Sequence, residues 1–339
     1  MSGTEPTELG GAASAARAWH ARLGSLGLGT AQLGNLFSAM PDEVAEQTLA
    51  AAWDTGVQYF DTAPHYGLGL AEQRLGRFLA GRPRDGFIVS TKAGRRLVPS
   101  PETADRFDDD IFQVPAVTRR VWDFTEAGIR AELDDSLTRL GLDYLDVLYL
   151  HDPERYDLDE ALRTGVPAAV RLREEGLVRA IGIGSMQIEA IRQAVRTGAL
   201  DVVMIAARYT LLEQQDAADL LEECADRGVA VVAAAVFNSG LLSTPHVAAG
   251  AKYEYQDATP AVLDRARALA ALCAEYGVEL PAAALQFPLR HPAVATVVAG
   301  AATPRHVRQN IARLSVDIPD ALWARFADAG LSLTRPTAD

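Results

Sequence analysis

The sequence predicts an α/β protein of the (β/α)8 TIM-barrel class, a single domain whose active site lies at the C-terminal ends of the strands. Three observations carry that expectation. Eight short apolar runs lie between positions 23 and 300. They are mostly continuous rather than alternating, as strands buried on both faces of a parallel sheet are. Segments with apolar residues at three- and four-residue spacing separate them, as crossover helices require. No internal repeat is visible, and no break in this alternation divides the chain into two domains.

Taken in order, residues 1–21 are rich in Gly, Ala, Ser, Thr and Glu without periodicity, and read as a flexible tail. The barrel is expected over 22–332, followed by a short C-terminal tail over 333–339. Its strands are expected at 23–29, 58–62, 87–92, 145–152, 180–185, 202–208, 229–237 and 294–300. Helical patterns fall at 42–55, 71–80, 125–140, 159–175, 187–197, 213–227 and 259–276, with further helices at 303–314 and near 319–329. Asp42, after a proline, and Thr125 are expected caps, and Gly141 ends the helix that Thr125 opens. Thr303-Pro304 has the order of an N-cap and a first-turn proline. Two connections are too long for turns, about 95–124 and 238–259. Both follow strands and carry aromatic residues, so both are expected to be lids.

The formal charge of −13 excludes nucleic acid and anionic membrane as partners, since no basic stripe compensates it. No apolar run approaches the roughly 20 residues that cross a bilayer, and no signal pattern opens the chain, so a cytoplasmic location is expected. Cys224 and Cys273 sit in helical patterns and read as thiols rather than as a disulfide or metal site. The histidines lack metal-ligand spacing, and no metal is expected. Gly27-Leu-Gly29 and Gly67-Leu-Gly69 do not complete a dinucleotide-binding glycine fingerprint.

The chemistry concentrates where three successive strand-like runs end, on Asp61, Lys92 and His151, with Tyr66 one turn beyond the first. Only two of the 32 basic side chains are lysines, Lys92 and Lys252. A lysine kept at a strand end against that bias toward arginine is informative, because lysine can shift its pKa and arginine cannot. In a barrel these ends share one mouth. The ammonium is expected to draw the phenol's pKa down from near 10 toward working pH. Asp61 would hold the lysine, and His151 would hydrogen-bond the reacting oxygen. Together they suit proton transfer at a carbonyl or alcohol oxygen coupled to hydride transfer. Singly, each has an ordinary alternative: a packing tyrosine, a solvated lysine, a hydrogen-bonded histidine, a turn-capping aspartate.

With these residues in place, the chain resembles the aldo-keto reductases over about 22–330. The matching pieces are Gly27-Leu-Gly-Thr30, Asp61-Thr-Ala-Pro-His-Tyr66-Gly67, Ser90-Thr-Lys92, Leu142-Asp-Tyr-Leu-Asp146 leading to His151, Gly182-Ile-Gly-Ser185, and 300–310. The resemblance implies a nicotinamide-dependent oxidoreductase with Tyr66 as general acid/base, Lys92 and Asp61 tuning it, and His151 orienting the substrate oxygen. It also implies a coenzyme groove of Gly29, Thr30, Ser185, Arg208, Phe237, Asn238, Ser239, Gly240, Leu242, Gly300, Ala301, Arg305, Gln309 and Asn310. Trp122, Phe124 and Asp152 are the expected substrate contacts. The segments Ala207-Arg-Tyr-Thr-Leu-Leu-Glu213 and Val236-Phe-Asn-Ser-Gly-Leu-Leu242 resemble the aldose-dehydrogenase branch of the family, of which pyridoxal dehydrogenases are close relatives. That implies oxidation of the anomeric carbon of an aldose of the L-fucose, D-arabinose or L-galactose type to its lactone. The alternatives are another aldehyde or pyridoxal as substrate, or a coenzyme-binding sensor subunit without catalysis.

Departures from the family pattern bear on the coenzyme. Ser185-Met186 stands where many members have Ser-Asn, Met204 and then Arg208 stand where a glutamine usually ends the sixth strand, and Phe237 is the nearest aromatic for stacking on the nicotinamide. Gly300-Ala-Ala-Thr303 offers no cation just after the last strand for a 2′-phosphate, so NAD is expected over NADP. Oligomeric state stays open.

Overall fold

The computed structural model describes residues 22–330, so the expected tails lie outside the described residues. Eight parallel strands close into a barrel. They are β1 (Leu26–Gly29), β2 (Tyr59–Asp61), β3 (Ile88–Ala93), β6 (Leu145–His151), β7 (Val178–Ser185), β8 (Val202–Ala206), β9 (Ala230–Ala234) and β12 (Val294–Gly300), with β12 pairing back onto β1. Each overlaps one of the expected apolar runs. Among the described residues four short strands lie outside the barrel. β4 (Arg95–Pro99) pairs antiparallel with β5 (Thr118–Trp122), and β10 (Lys252–Tyr253) with β11 (Gln256–Asp257).

The outer layer is α1 (Asp42–Asp54), α2 (Leu70–Leu79), α3 (Glu126–Leu140), α4 (Leu158–Glu174), α5 (Ile188–Arg196), α6 (Ala218–Arg227), α7 (Pro260–Glu275), α8 (Leu280–Gln286), α9 (Pro304–Leu314) and α10 (Asp320–Asp328). Thr125 caps α3 by accepting from Gly128 N, and Thr303 caps α9 by accepting from His306 N. Asp42 does not cap. Pro41 takes that position, and Asp42 opens α1, where its carboxylate binds Arg74 and Arg77. The short α8 escapes a reading by period because almost all of its side chains are buried, leaving no polar face to mark it.

Strand periodicity decides what faces the barrel interior. Tyr59 and Asp61 alternate with Phe60, and Tyr149 and His151 alternate with Leu148 and Leu150. Tyr59 and Tyr149 pack in the interior cluster, while Phe60, Leu148 and Leu150 pack outward against the helices. Inside the barrel Tyr59 Oη lies 2.9 Å from Ser90 Oγ and 3.4 Å from Tyr149 Oη. Inward polar groups therefore begin well below the mouth. A second apolar cluster joins α7, α8 and α10 to Leu211, Leu212, Leu241 and Leu242. It anchors the loop after β9.

Both long connections have structure of their own. The first is the β4–β5 hairpin, whose register sets Arg95 opposite Trp122. The second folds into the β10–β11 hairpin, with Tyr253 opposite Gln256. Among the described residues no single helix is long and apolar enough to cross a membrane.

Candidate active site

Register brings the expected residues together. Asp61 pairs with Ser90, Lys92 lies two residues further along β3 opposite Tyr149, and His151 lies two beyond Tyr149 on β6. Residues two apart on a strand share a face, so Asp61, Lys92 and His151 all point to the interior at its C-terminal end. Lys92 Nζ lies 3.0 and 2.9 Å from the two Asp61 carboxylate oxygens and donates to Thr62 O at 2.9 Å. It also sits 4.8 Å from the centre of the Tyr66 ring. The Tyr66 and His151 rings meet edge to face, with centroids 6.3 Å apart.

Support for this group is built in below it. Ser90 Oγ donates to Asp61 Oδ1 at 2.7 Å, and Thr30 Oγ1 donates to Asp61 O at 3.0 Å. On the outer side of β3 two buried carboxylates hold residues on either side of Lys92, one through a side chain and one through the backbone. Glu72 accepts from Thr91 Oγ1 at 2.6 Å, and Glu132 accepts from Gly94 N at 2.6 Å. Burial pushes the Glu132 carboxyl up to about 8, against the Gly94 hydrogen bond.

The electrostatics differ from the expected tuning in one respect. Burial pushes the Tyr66 phenol up to about 12, and the Lys92 ammonium only partly offsets that. Desolvation of the phenolate outweighs the neighbouring charge, much of which Asp61 already neutralises. Burial also disfavours the Lys92 ammonium, but Asp61 and Tyr66 overcome that and hold its pKa well above the ordinary value. Burial, reinforced by Arg95 and Lys92, holds the His151 imidazole well below the ordinary histidine range. His151 is therefore neutral at working pH, with one N–H to give.

Beside the tetrad stands a polar and aromatic wall that the sequence only hinted at. Arg95 is buried, pairs with Asp152, and lies 4.6 Å from the centre of the Trp122 ring. Asp152 adopts a left-handed conformation, φ 42°, with a carboxylate oxygen 4.0 Å from His151 Nε2. Trp122 stacks on Phe124 at 6.2 Å and on Tyr156 at 6.2 Å. Phe124 itself is 2% exposed. Its ring fills the space beside Gly94, where a Cβ would come within 2.4 Å, so it props Trp122 and has no free face of its own.

The expected coenzyme residues divide. Gly29 and Gly300 pair across β1 and β12. Gln32, which sequence reasoning missed, covers Gly300: a Cβ there would lie 2.5 Å from its amide. Asn238, Ser239 and Gly240 all have positive φ, and the buried Asn238 Oδ1 has no partner. Arg305 and Gln309 are exposed on α9, which begins just beyond β12, while Ala301 is buried. Open backbone and a cationic helix start fit the phosphates of a dinucleotide, and the unpartnered amide oxygen fits one of its hydrogen-bond donors. Phe237 is half-buried, with the Arg313 guanidinium 6.0 Å from its ring centre.

Other assignments are committed elsewhere. Arg208 pairs with Glu254 and, at 3.5 Å, with Glu213. Ser185 Oγ donates to Glu154 at 2.6 Å, Leu242 is fully buried in the second cluster, and Asn310 accepts from Arg313 at 3.0 Å. The Arg208–Glu254 and Ser185–Glu154 contacts do not show locally in the sequence, because each joins segments more than 30 residues apart. Among the described residues no group of three or more His, Cys, Asp or Glu side chains is placed to hold a metal ion.

Residues 25–330 match the pattern of the Aldo/keto reductase family. The chain belongs to the aldo/keto reductase family. It is 50% identical to a D-threo-aldose 1-dehydrogenase of a Pseudomonas species, covering 98% of this chain and 99% of that one. It is 37% identical to a pyridoxal 4-dehydrogenase of Microbacterium luteolum, covering 91% and 94%. Among solved structures, the holo form of an aldo-keto reductase from Bacillus halodurans superposes with a TM-score of 0.72, covering 91% of this chain and 92% of that one at 26% identity. As an aldo/keto reductase the protein is an oxidoreductase that works with a nicotinamide dinucleotide, NAD(P).

Proposed function

We propose that this aldo/keto reductase oxidises the anomeric carbon of an aldose of the L-fucose, D-arabinose or L-galactose type to the lactone, with NAD+ as acceptor. The observation that carries the reading is the 50% identity, over 98% of the chain, to a D-threo-aldose 1-dehydrogenase. The tetrad suits the chemistry. Tyr66 takes the proton of the anomeric hydroxyl as the C–H hydride departs and the C=O bond forms. Lys92 stabilises the phenolate, and Asp61 keeps the lysine charged and in place. Neutral His151 donates to the reacting oxygen. The bound nicotinamide supplies the hydride acceptor. Asp152 accepts from, and Arg95 donates to, the neighbouring sugar hydroxyls, and Trp122 offers an aromatic face. Gly29, Asn238, Ser239, Gly240, Gly300, Arg305 and Gln309 hold the dinucleotide.

A Schiff-base role for Lys92 does not suit its surroundings. The amine would have to lose a proton that Asp61 and Thr62 O together hold. The decisive experiment is a coenzyme-reduction screen at alkaline pH with L-fucose, D-arabinose, L-galactose and pyridoxal. Turnover of aldoses with lactone as product is expected. Coenzyme binding without turnover of any of them would favour a sensor, and turnover of pyridoxal alone would move the substrate to that class.

A further inference from the structure

Two bulky aromatic residues hold left-handed backbone conformations at the rim of the barrel. Phe37, on the loop after β1, has φ 62°, and Tyr255, at the tip of the β10–β11 hairpin, has φ 65°. For bulky side chains this conformation is a true outlier, and strain of this kind persists where surrounding structure enforces it and function uses it. The hairpin sharpens the point. Tyr253 pairs with Gln256, so its turn is the two-residue Glu254-Tyr255 pair, both with positive φ, where Asn-Gly is the ordinary choice.

Each side chain at that tip has a fixed destination. Glu254 pairs with the buried Arg208, and Tyr253 hydrogen-bonds Glu213, which anchors the hairpin to the loop after β8. Tyr255 N donates to Ser239 Oγ at 3.1 Å. The Tyr255 ring crosses to Phe37, 6.2 Å between centroids. Phe37 is held just as firmly. Its N–H donates to Ile111 O at 2.9 Å, Leu36 bridges to Phe112, and buried Arg74 binds Leu33 O, Met40 O and Asn35 in the same loop. Phe112 in turn lies 6.1 Å from Tyr66. The pair thus spans the mouth above the tetrad, and Tyr255 feels the charges of Asp152, Asp110 and Lys92. Phe37 is 51% and Tyr255 46% exposed, so each ring keeps an open face that packing within the chain does not use.

We propose that Phe37 and Tyr255 roof the substrate mouth and grip the apolar face of a sugar ring seated on Tyr66 and His151, making them specificity-determining residues. The proposal rests on the aldose reading and adds the part of the substrate that is recognised: ring C–H groups away from the reacting carbon. Such contacts also exclude water from the site.

Glycine variants supply the test, because Phe37→Gly and Tyr255→Gly remove the ring while relieving the left-handed backbone. Both should melt at or above the wild-type temperature. For L-fucose, kcat/KM should fall on the order of tenfold in each, mainly through KM, as expected for loss of one aromatic contact. Tyr255→Phe should restore most of it, and NAD+ affinity, read by quenching of protein fluorescence, should stay within about twofold of wild type. Glycine variants with wild-type kcat/KM would overturn the proposal. So would a loss of NAD+ affinity equal to the loss of kcat/KM, which would make the pair a coenzyme clamp. If the wild-type enzyme oxidises no aldose, it is the aldose reading that fails.

Discussion

Gly67 presses directly on Gly34: a Cβ on Gly67 would lie 2.3 Å from the Gly34 carbonyl oxygen, and one on Gly34 would lie 2.6 Å from the Tyr66 carbonyl carbon. This backbone-to-backbone contact is what sets Tyr66 at the mouth, since Tyr66 precedes a run of left-handed residues, Gly67, Leu68 and Gly69. Gly67→Ala is expected to cost more than about 1 kcal/mol, because φ 64° strains any Cβ and the contact leaves no room. Chemical denaturation should show the loss, and kcat should fall with it as the phenol is displaced. Undiminished kcat would mean that the loop adjusts without moving Tyr66.

Asp61 and Lys92 are each 3% exposed, and they are one another's charge partner. Asp61→Asn leaves an ammonium buried without a counter-charge. Breaking one side of a buried pair costs about 3–5 kcal/mol. The variant should unfold at lower denaturant and lose activity together, whereas a merely catalytic aspartate would leave stability untouched.

Tyr66→Phe removes the only hydroxyl the proposed proton transfer uses, and should lower kcat by about 10²–10⁴-fold while coenzyme affinity stays near wild type. Stopped-flow coenzyme binding and steady-state rates separate the two effects.

The phenol at about 12 also sets the pH dependence. Below that value Tyr66 is protonated, and sugar oxidation needs the phenolate. The phenolate fraction rises about tenfold per pH unit, so kcat/KM for oxidation should climb with that slope across the neutral and mildly alkaline range. Carbonyl reduction uses the protonated phenol and should stay flat over the same range. An oxidation profile that levels off near pH 7 would contradict the direction of this shift.

For the coenzyme, Ala301 is buried and Ala302 is neutral, so nothing in the first two residues after β12 meets a 2′-phosphate. The enzyme should favour NAD+ over NADP+ in kcat/KM by about tenfold or more, the worth of one charge-assisted contact. Ala302→Arg should narrow that gap. A wild-type preference for NADP+ would assign the phosphate to Arg305 or Arg308 on α9.

The sequence by itself determined the barrel and the convergence at its mouth. Continuous apolar runs separated by helical periods allow little else, and two-residue alternation along β2, β3 and β6 sends Asp61, Lys92 and His151 inward wherever the strands pair in parallel. The expected direction of the Tyr66 shift did not survive, because a phenol's pKa depends on how much water the finished fold removes from it, and burial outweighed the lysine. Tertiary structure alone decided that Arg95 would meet Asp152 and Trp122, that Arg208 would hold Glu254, and that Phe37 would meet Tyr255. Those contacts join segments 27 to 218 residues apart, and their geometry is set by hairpin register and loop packing, for which a local pattern of residues carries no signal.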